Sequence, residues 1–382
     1  MSGLKAELIG RIAQLPAAEW DALTGSDQPF VSHAFLEALE SSGSIRRELG
    51  WRPQHLLLRD GTRLVAAAPC YLKSNSHGEF VFDWAWADAY ERNQLRYYPK
   101  LLVGVPYTPV TGPRLLVAAG AQATRWRGTL RRTLVDMVEA SDLSSVHANF
   151  LTERDAAALA HDPWLPRGDW QFHWHNPGYR DFADFLDTLQ SKKRKNIRQE
   201  RQHLAAAGIH FRCQDGHALQ PADWARLHAL YVRTFTAKMN TPALTSGFFE
   251  RLGQRLPDQV LAITAWRGEQ LLAMALCLKD RERLYGRYWG SFEEVPGLHF
   301  ATCYYEGIDY AIRTGLKWFE PGAQGEHKIA RGFLPQRVRS AHYVAHPGFR
   351  SAIRTAIADE HRRRGQLAEI YAEHSPYRHD EG

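Results

Sequence analysis

The sequence has no run of about 18 consecutive apolar residues, which excludes a membrane-spanning helix of ordinary length. Its first residues, "MSGLKAELIG", lack the continuous apolar stretch of a secretory signal, so a cytoplasmic protein is expected. Cysteine is scarce: Cys70, Cys213, Cys277 and Cys303 are the only 4 in 382 residues, widely scattered, with no CxxC pair and no histidine at ligand spacing. That pattern speaks against disulfides and against a bound metal. A balanced charge is also missing. The formal charge is +6 and the pI about 9.1, which favours an anionic partner by steering, although net charge alone locates no site. The length itself exceeds what one hydrophobic core usually supports, and two domains are expected.

What is present first is a repeat. "RDGTRLVAAAPCYLK", beginning at Arg59, resembles "WRGEQLLAMALCLKD", beginning at Trp266. With Gly61 set on Gly268, Leu64, Ala66, Ala68 and Cys70 fall on Leu271, Ala273, Ala275 and Cys277. Each segment reads as strand, tight turn, strand, a β-hairpin signal. Aromatic strands are expected after both, "EFVFDWAW" from Glu79 and "RLYGRYWG" from Arg283, with Trp84 landing on Trp289. Helical periodicity flanks the hairpins in the same order in each half, and a helix ended by Gly315 precedes the strand "LKWFEP". Any two apolar hairpins look somewhat alike, but the repeated flanks favour duplication. The expected architecture is α/β (α+β), two tandem domains of mixed, largely antiparallel sheet flanked by helices, over residues 1–175 and 176–382.

Between the halves lies a basic helix, expected over residues 191–207. Lys192, Lys193, Arg194, Lys195, Arg198 and Arg201 face a single anion, Glu200, within its first twelve residues. Ser191 is positioned to cap it, and Gly208 to stop it. Arg194, Arg198 and Arg201 share a face at helical spacing and could hold phosphates by forked hydrogen bonds. The plainer reading of such a run is a solvated linker helix.

The run "KKRKNIRQERQHLAAAGIHF" is similar to the basic helix motif of the Fem-type peptidoglycan aminoacyltransferases, which are tandem GNAT-fold proteins. "LYGRYWGSFEEVPGLHFATCYY", "FEPGAQGEHKIARGF" and "VPYTPVTGPRLL" resemble a bacterial branch of that superfamily described as predicted N-acyltransferases, and the resemblance covers nearly the full length. It implies two GNAT-like domains and transfer of an acyl or aminoacyl group, from acyl-CoA or aminoacyl-tRNA as co-substrate, to an amine on a small molecule or cell-wall precursor. No permanently bound cofactor is implied. GNAT enzymes that use acyl-CoA carry a loop of the type [QR]-x-x-G-x-[GA]; the corresponding loop here, "SFEEVPGLHFA", has Gly297 alone.

Acyl transfer to an amine needs a proton acceptor, because a lysine-type amine with pKa near 10.4 is mostly protonated at neutral pH, and donors for the developing oxyanion. Glu320 ends its strand, where α/β sheets place functional residues. Behind it, Gly322 and Gly325 precede Glu326, His327, Lys328 and Arg331. The spacing G-x-x-G-x-x-K is not a Walker A motif, so an NTPase is excluded. A helical turn starting near Gln324 could offer N–H groups, with Lys328, to an anion. Glu320, His327 and Lys328 are the expected catalytic residues.

Tyr288, Trp289 and Ser291 end a strand that, by the resemblance to GNAT-fold proteins, splays from its neighbour; they are candidates for substrate binding, with Gly290 permitting close approach of the donor. His299, Tyr305, Gln324 and Arg331 join them; His299 and Glu306, seven apart, are expected on one helical face. In the first half, Asp83, Trp84, Tyr107 and Arg114 are further substrate-binding candidates; the acidic and aromatic groups among them could grip a cationic acceptor, although packing explains the tryptophan equally well. "HWH" (His173, Trp174, His175) reads as an alternating strand rather than a metal pair. Lys192, Lys193, Arg194, Lys195 and Arg198 are the expected carrier contacts. The rival reading is an RNA-binding protein without transferase activity, with steep salt dependence and indifference to Glu320.

Overall fold

A computed structural model describes residues 3–323 and 325–378; Gln324 therefore lies outside the described residues. In chain order the strands are β1 (Leu4–Ile9), β2 (Trp51–Pro53), β3 (His55–Asp60), β4 (Arg63–Ala68), β5 (Cys70–Lys73), β6 (Lys100–Val103), β7 (Leu116–Val117), β8 (Ser145–Ala148), β9 (Leu165–His175), β10 (Ile209–Asp215), β11 (Val260–Arg267), β12 (Gln270–Lys279), β13 (Arg283–Ser291), β14 (Trp318–Glu320) and β15 (Leu334–Val344).

The chain forms two compact units. One holds the residues up to Trp170 together with Arg337–Gly365; the other holds Gln171–Gln336 and the residues from Gln366 onward. The expected division at residue 175 thus misplaces Arg337–Gly365, which returns to the first unit because β15 pairs there with β8 (Ala341 opposite Ala148).

The first unit carries one sheet ordered β1-β3-β4-β7 and a second ordered β2-β5-β6-β8-β15; the second unit carries β10-β11-β12-β13-β14-β9. In each, an antiparallel meander leads to one parallel pair, β6 with β8 and β13 with β14, reached through helical crossovers. The crossovers contain Ala123–Ala140 in the first unit and Glu306–Thr314 in the second. This is the tandem GNAT-like architecture, a mixed, largely antiparallel sheet flanked by helices in each unit.

The hairpins agree to the residue. Asp60 pairs with Arg63 around Gly61 (φ 61°), and Arg267 pairs with Gln270 around Gly268 (φ 58°). Each ladder shifts register once, between Leu58 and Arg59 and between Ala265 and Trp266, which are equivalent positions in the alignment that sets Gly61 on Gly268. A bulge is a specific local feature, so its recurrence at one aligned position supports duplication more strongly than the apolar identities do. The same alignment places Pro69 on Leu276. Proline cannot donate to a ladder, and here it separates β4 from β5; β12 runs through Leu276 unbroken, with only a register shift against β13.

A second expectation also fails. "EFVFDWAW" is not a strand: Trp84–Arg92 is a helix that buries Trp86 and Tyr90, and the structural counterpart of β13 is β6, so Trp84 does not match Trp289. The physical cause is Lys100. Its fully buried ammonium bonds Ser76 Oγ (2.8 Å), Glu79 Oε2 (2.9 Å) and the Asp83 carboxylate, pulling residues 79–83 out of any ladder. Burial acts to raise Asp83, yet Lys100 and His147 hold it down at about 2; burial lifts Glu79 to about 7 despite Lys100.

On the neighbouring strands His147 and His342 share a hydrogen bond of 2.7 Å between their Nδ1 atoms, which requires one donor and one acceptor. Both are buried. Burial, with Lys100 among the nearby cations, lowers His147 to about 3 and His342 well below the usual imidazole range. Between about pH 6.5 and 3 the unfolded chain therefore takes up protons that the folded chain refuses, so stability is full above that window and lost as pH falls through it, by up to about 1.4 kcal/mol per pH unit for each group. The melting temperature should fall across the window, and His342→Gln should flatten the dependence; an unchanged slope in that variant contradicts the assignment.

Candidate active site

β13 has nine residues, but β14 accompanies it for only three pairs: Arg283 with Trp318, Leu284 with Phe319 and Tyr285 with Glu320. Pro321 then ends the ladder. A Cβ on Gly286 would lie 3.2 Å from Pro321 Cα, so the glycine is what lets the departing chain pass so closely. On its other side β13 stays paired with β12 out to Ser291. The later part of β13 therefore presents an edge that β14 does not cover, the splay that the resemblance to GNAT-fold proteins implies.

A cleft of about 1250 Å³ opens at this free end, walled by the helix Pro221–Ala237 through Val232 and Arg233, by Lys238, by Trp289 and Phe292, and by His299. Arg233 fixes the floor, its Nε donating to Ser291 O (3.1 Å) and Nη2 to Phe292 O (3.3 Å). Ser291 Oγ donates to Leu272 O (3.2 Å) and to Glu293 O, so this expected ligand contact locks the loop instead. Tyr288 likewise packs edge-on against Tyr231 (5.4 Å between centroids) and serves the core. Trp289 lines the cleft.

Gly290 has a different role from the one expected. A Cβ there would sit 2.3 Å from Leu230 O, so the glycine admits the helix Pro221–Ala237, whose Thr234 donates to Trp289 O (2.8 Å), and not a donor molecule. Gly290→Ala should cost about 1–3 kcal/mol by overpacking, read as a lower denaturant midpoint.

His299 stands beside Trp289 (5.1 Å, edge-on) and Tyr304 (5.4 Å). Burial lowers it to about 4, with His327, Arg331, Lys238 and Lys328 adding repulsion, so it is a neutral proton acceptor at pH 7. It does not share a face with Glu306. The intervening segment Ala301–Tyr305 is a π-turn, whose wider winding rotates Glu306 away to bond Arg201 (3.4 Å).

The two other expected catalytic groups lie deeper. Glu320 is buried; its Oε1 accepts from Arg283 (3.0 Å), and its Oε2 makes no hydrogen bond, lying 3.8 Å from His173 Nε2. Burial, over the opposing pull of Glu320, lowers His173. Lys328 is buried too, donating to Gly322 O (2.6 Å), and burial lowers it to about 8. His327 is exposed and bonds Tyr304 OH (2.9 Å). The sequence reading missed His173 as a partner of Glu320, although its alternation with Trp174 was the available signal: one face of β9 carries the histidine to the end of β14.

Tyr305 and Arg331 form a bracket instead of a binding surface. Arg331 lies over Phe300 (3.3 Å to the centroid) and donates to Tyr305 OH (3.0 Å) and Glu200 Oε1 (3.1 Å), while Tyr305 OH donates to Glu200 Oε2. The bracket holds the basic helix, Ser191–Ala206, through its single early carboxylate. Ser191 is the first helical residue, not the cap; Gln190 occupies that position, and its side chain makes no capping bond to the helix. The arginines do not act as one phosphate face. Arg194 donates back to Leu189 O (3.2 Å), Arg198 reaches Asp187 (3.4 Å), and Arg201 lies against Phe182 and Glu306. Among the described residues Lys192, Lys193 and Lys195 have no carboxylate partner.

Of the first-unit candidates, Asp83, Tyr107 and Arg114 are absorbed internally, while Trp84 stays partly exposed. Asp83 belongs to Lys100, Trp84 stacks edge-on with His77 (4.9 Å), and Tyr107 packs on Trp51 (5.2 Å). Arg114 is wholly buried, donating to Asn149 O (3.0 Å) and Val110 O (2.7 Å), and burial lowers it to about 10. It is the pin of a closed seam. Where β13 loses its partner, β6 keeps one: Asn149 N bonds Val103 O and Gly112 N bonds Phe150 O beyond the strand ends. No equivalent free edge exists among the described residues of this unit. Arg114→Met should therefore lower the melting temperature while leaving the dependence of rate on substrate concentration unchanged.

Among the described residues no group of three His, Cys, Asp or Glu could hold a metal, and no helix is long and apolar enough to cross a membrane. The chain is similar in fold to FemX (TM-score 0.52, 10% identity, 91% of this chain and 100% of that one). It is similar also to the C-terminal DUF2156 domain of a putative lysylphosphatidylglycerol synthetase from Agrobacterium fabrum (TM-score 0.55, 8% identity, 89% and 95%) and to L-PGS from Bacillus licheniformis (TM-score 0.51, 10% identity, 87% and 98%). No curated protein matches the sequence. A family model described as peptidoglycan biosynthesis/recognition matches residues 11–379, and with the tandem GNAT-like fold already in hand the chain belongs to the FemAB-like family.

Proposed function

We propose that the protein is an N-acyltransferase that moves an aminoacyl group from a tRNA carrier to an amine, with the reaction at the second unit's cleft and a cell-wall precursor supplying the amine. The observation that carries this reading is the uncovered edge of β13 beside a neutral, half-buried His299. Backbone N–H groups on such an edge can meet the oxyanion that develops when the amine attacks the ester carbonyl. The C–N bond forms as the carrier's C–O bond breaks; His299 takes the amine proton and returns one to the leaving hydroxyl. Glu320, His173 and Lys328 act as positioning residues that fix the turn after β14, Lys328 by holding Gly322 O. His327, bonded to Tyr304, lies within 6.4 Å of His299 (ring centroids) and is suited to relay protons to solvent.

Two features favour tRNA over acyl-CoA. The loop after β13 carries only one glycine, Gly297 (φ 81°), so it lacks the glycine-rich cradle for a pyrophosphate; of its two carboxylates Glu293 is paired with Arg267 (3.0 Å), and Glu294 lines the cleft. The unpaired lysines of the basic helix supply the phosphate contacts that a nucleic-acid carrier needs. The family's description supports a cell-wall acceptor.

Transfer assays with charged tRNA, acetyl-CoA and long-chain acyl-CoA test the reading. Turnover should appear with charged tRNA and fall about 10²–10⁴-fold in His299→Gln. Binding of RNA with no carrier consumed, and with no effect of His299→Gln, identifies an RNA-binding protein instead.

The pH profile gives a second check. His299 must be unprotonated to act, so activity is lost as pH falls through its pKa. For kcat/KM, which reports the free enzyme, the acid limb should lie near the value of about 4. Bound carrier phosphates offset the repulsion from Lys238 and Arg331, so the acid limb of kcat should lie at higher pH. Coincident limbs contradict the assignment.

A further inference from the structure

We infer that residues 80–84 of the first unit, with the cationic pocket linked to them, form a docking surface for an anionic phospholipid bilayer. Phe80, Phe82 and Trp84 are 39%, 51% and 39% exposed, three large aromatic side chains within five residues. Isolated apolar residues on a surface need no explanation, but this cluster is held out by construction. The flanking carboxylates of Glu79 and Asp83 are both buried on Lys100, and Tyr97 OH donates to Asp83 (2.5 Å). Phe80 has φ 59°, a left-handed backbone that is strained for any residue with a side chain. Burying two carboxylates and an ammonium is unfavourable in itself, so the network contributes a fixed backbone more than it contributes stability. With residues 79 and 83 anchored, the rings between and after them cannot turn into the core.

The charge beside them has the sign that an anionic surface requires. Arg167 donates to Phe82 O (2.8 Å) and, by two bonds of 2.7 and 3.0 Å, to Glu360, which also pairs with Arg364 (3.3 Å). Arg364, Arg337 and His361 line a pocket of about 160 Å³ with Gly168, Asp169 and Trp170. Its partners are partly spoken for, since Arg364 donates to Asp169 (3.2 Å) and to Gly168 O. Arg337 is exposed and has no carboxylate partner among the described residues, and His361 Nε2 is buried without a hydrogen-bond partner. Gly168 allows the guanidinium to lie flat against the chain, for a Cβ there would meet Arg337 Nε at 2.9 Å. The pocket suits one phosphate group. Aromatic rings at headgroup depth beside a phosphate site match an interfacial anchor, whereas free phosphate would leave the rings unexplained.

Co-sedimentation of the full chain with vesicles tests this. The protein should bind phosphatidylglycerol–phosphatidylcholine vesicles and bind phosphatidylcholine alone weakly, with the difference falling as salt rises. Phe80→Ser/Phe82→Ser, its far-ultraviolet circular dichroism unchanged, should weaken vesicle binding at least about tenfold. Arg337→Glu should abolish the preference for phosphatidylglycerol, and inorganic phosphate should compete only weakly. The proposal is overturned if the wild-type chain ignores phosphatidylglycerol vesicles, or if the double variant binds them as the wild type does. It is also overturned if the double variant merely dissociates a dimer while no vesicle binding is seen. Should the double variant not fold, Arg337→Glu decides, and a retained lipid preference overturns the proposal.

Discussion

A strand that outlasts its neighbour is the constraint on which the second unit depends. β14 stops at Glu320 because proline follows and cannot extend the ladder, while β13 continues to Ser291 under the protection of β12. Everything at the site follows from that mismatch. Gly286 lets Pro321 leave, the helix Pro221–Ala237 closes over Gly290, and the remaining edge faces a cleft with a neutral imidazole on its wall. Polar backbone at a sheet edge is normally a liability, and here the edge lies in a walled cleft with its Trp289 and Ser291 carbonyls taken by Thr234 and Arg233.

The first unit shows what the same topology does without the mismatch. Its parallel pair is stitched beyond the strand ends by Asn149 N to Val103 O and Gly112 N to Phe150 O, and Arg114 fills the space with hydrogen bonds to carbonyls. The two units thus differ in the one feature on which the proposed transfer depends. In the first unit polar groups point inward, on Lys100 and its carboxylates and on the His147–His342 pair, and all of these are buried.

Much of the fold was legible in the sequence. The hairpin alignment revealed the repeat because turn glycines and alternating small residues are local signals, whereas the splay was expected only from the resemblance to GNAT-fold proteins. "EFVFDWAW" misled because its period is that of a strand, while Lys100, some twenty residues on, decides its backbone through a buried ion network that no local pattern reveals. The roles of single residues were less legible. His299 and Glu306 seven residues apart imply one face only if the helix winds regularly, and a π-turn between them breaks the inference. Gly290, Ser291 and Tyr305 have the chemistry of a site, but their positions give them to packing, to a loop lock and to the bracket on Glu200. His173 was read as part of a strand and not as the partner of Glu320, because that contact depends on which strand lies next to β14.

Amide hydrogen exchange, read along the full chain with and without a non-hydrolysable aminoacyl-tRNA, bears most directly on the central claim that the uncovered edge of β13 receives the donor. Slowed exchange over residues 287–299, with no change over residues 104–114, is the expected result. Protection of residues 104–114 with residues 287–299 unaffected would place the donor in the other unit and contradict the account.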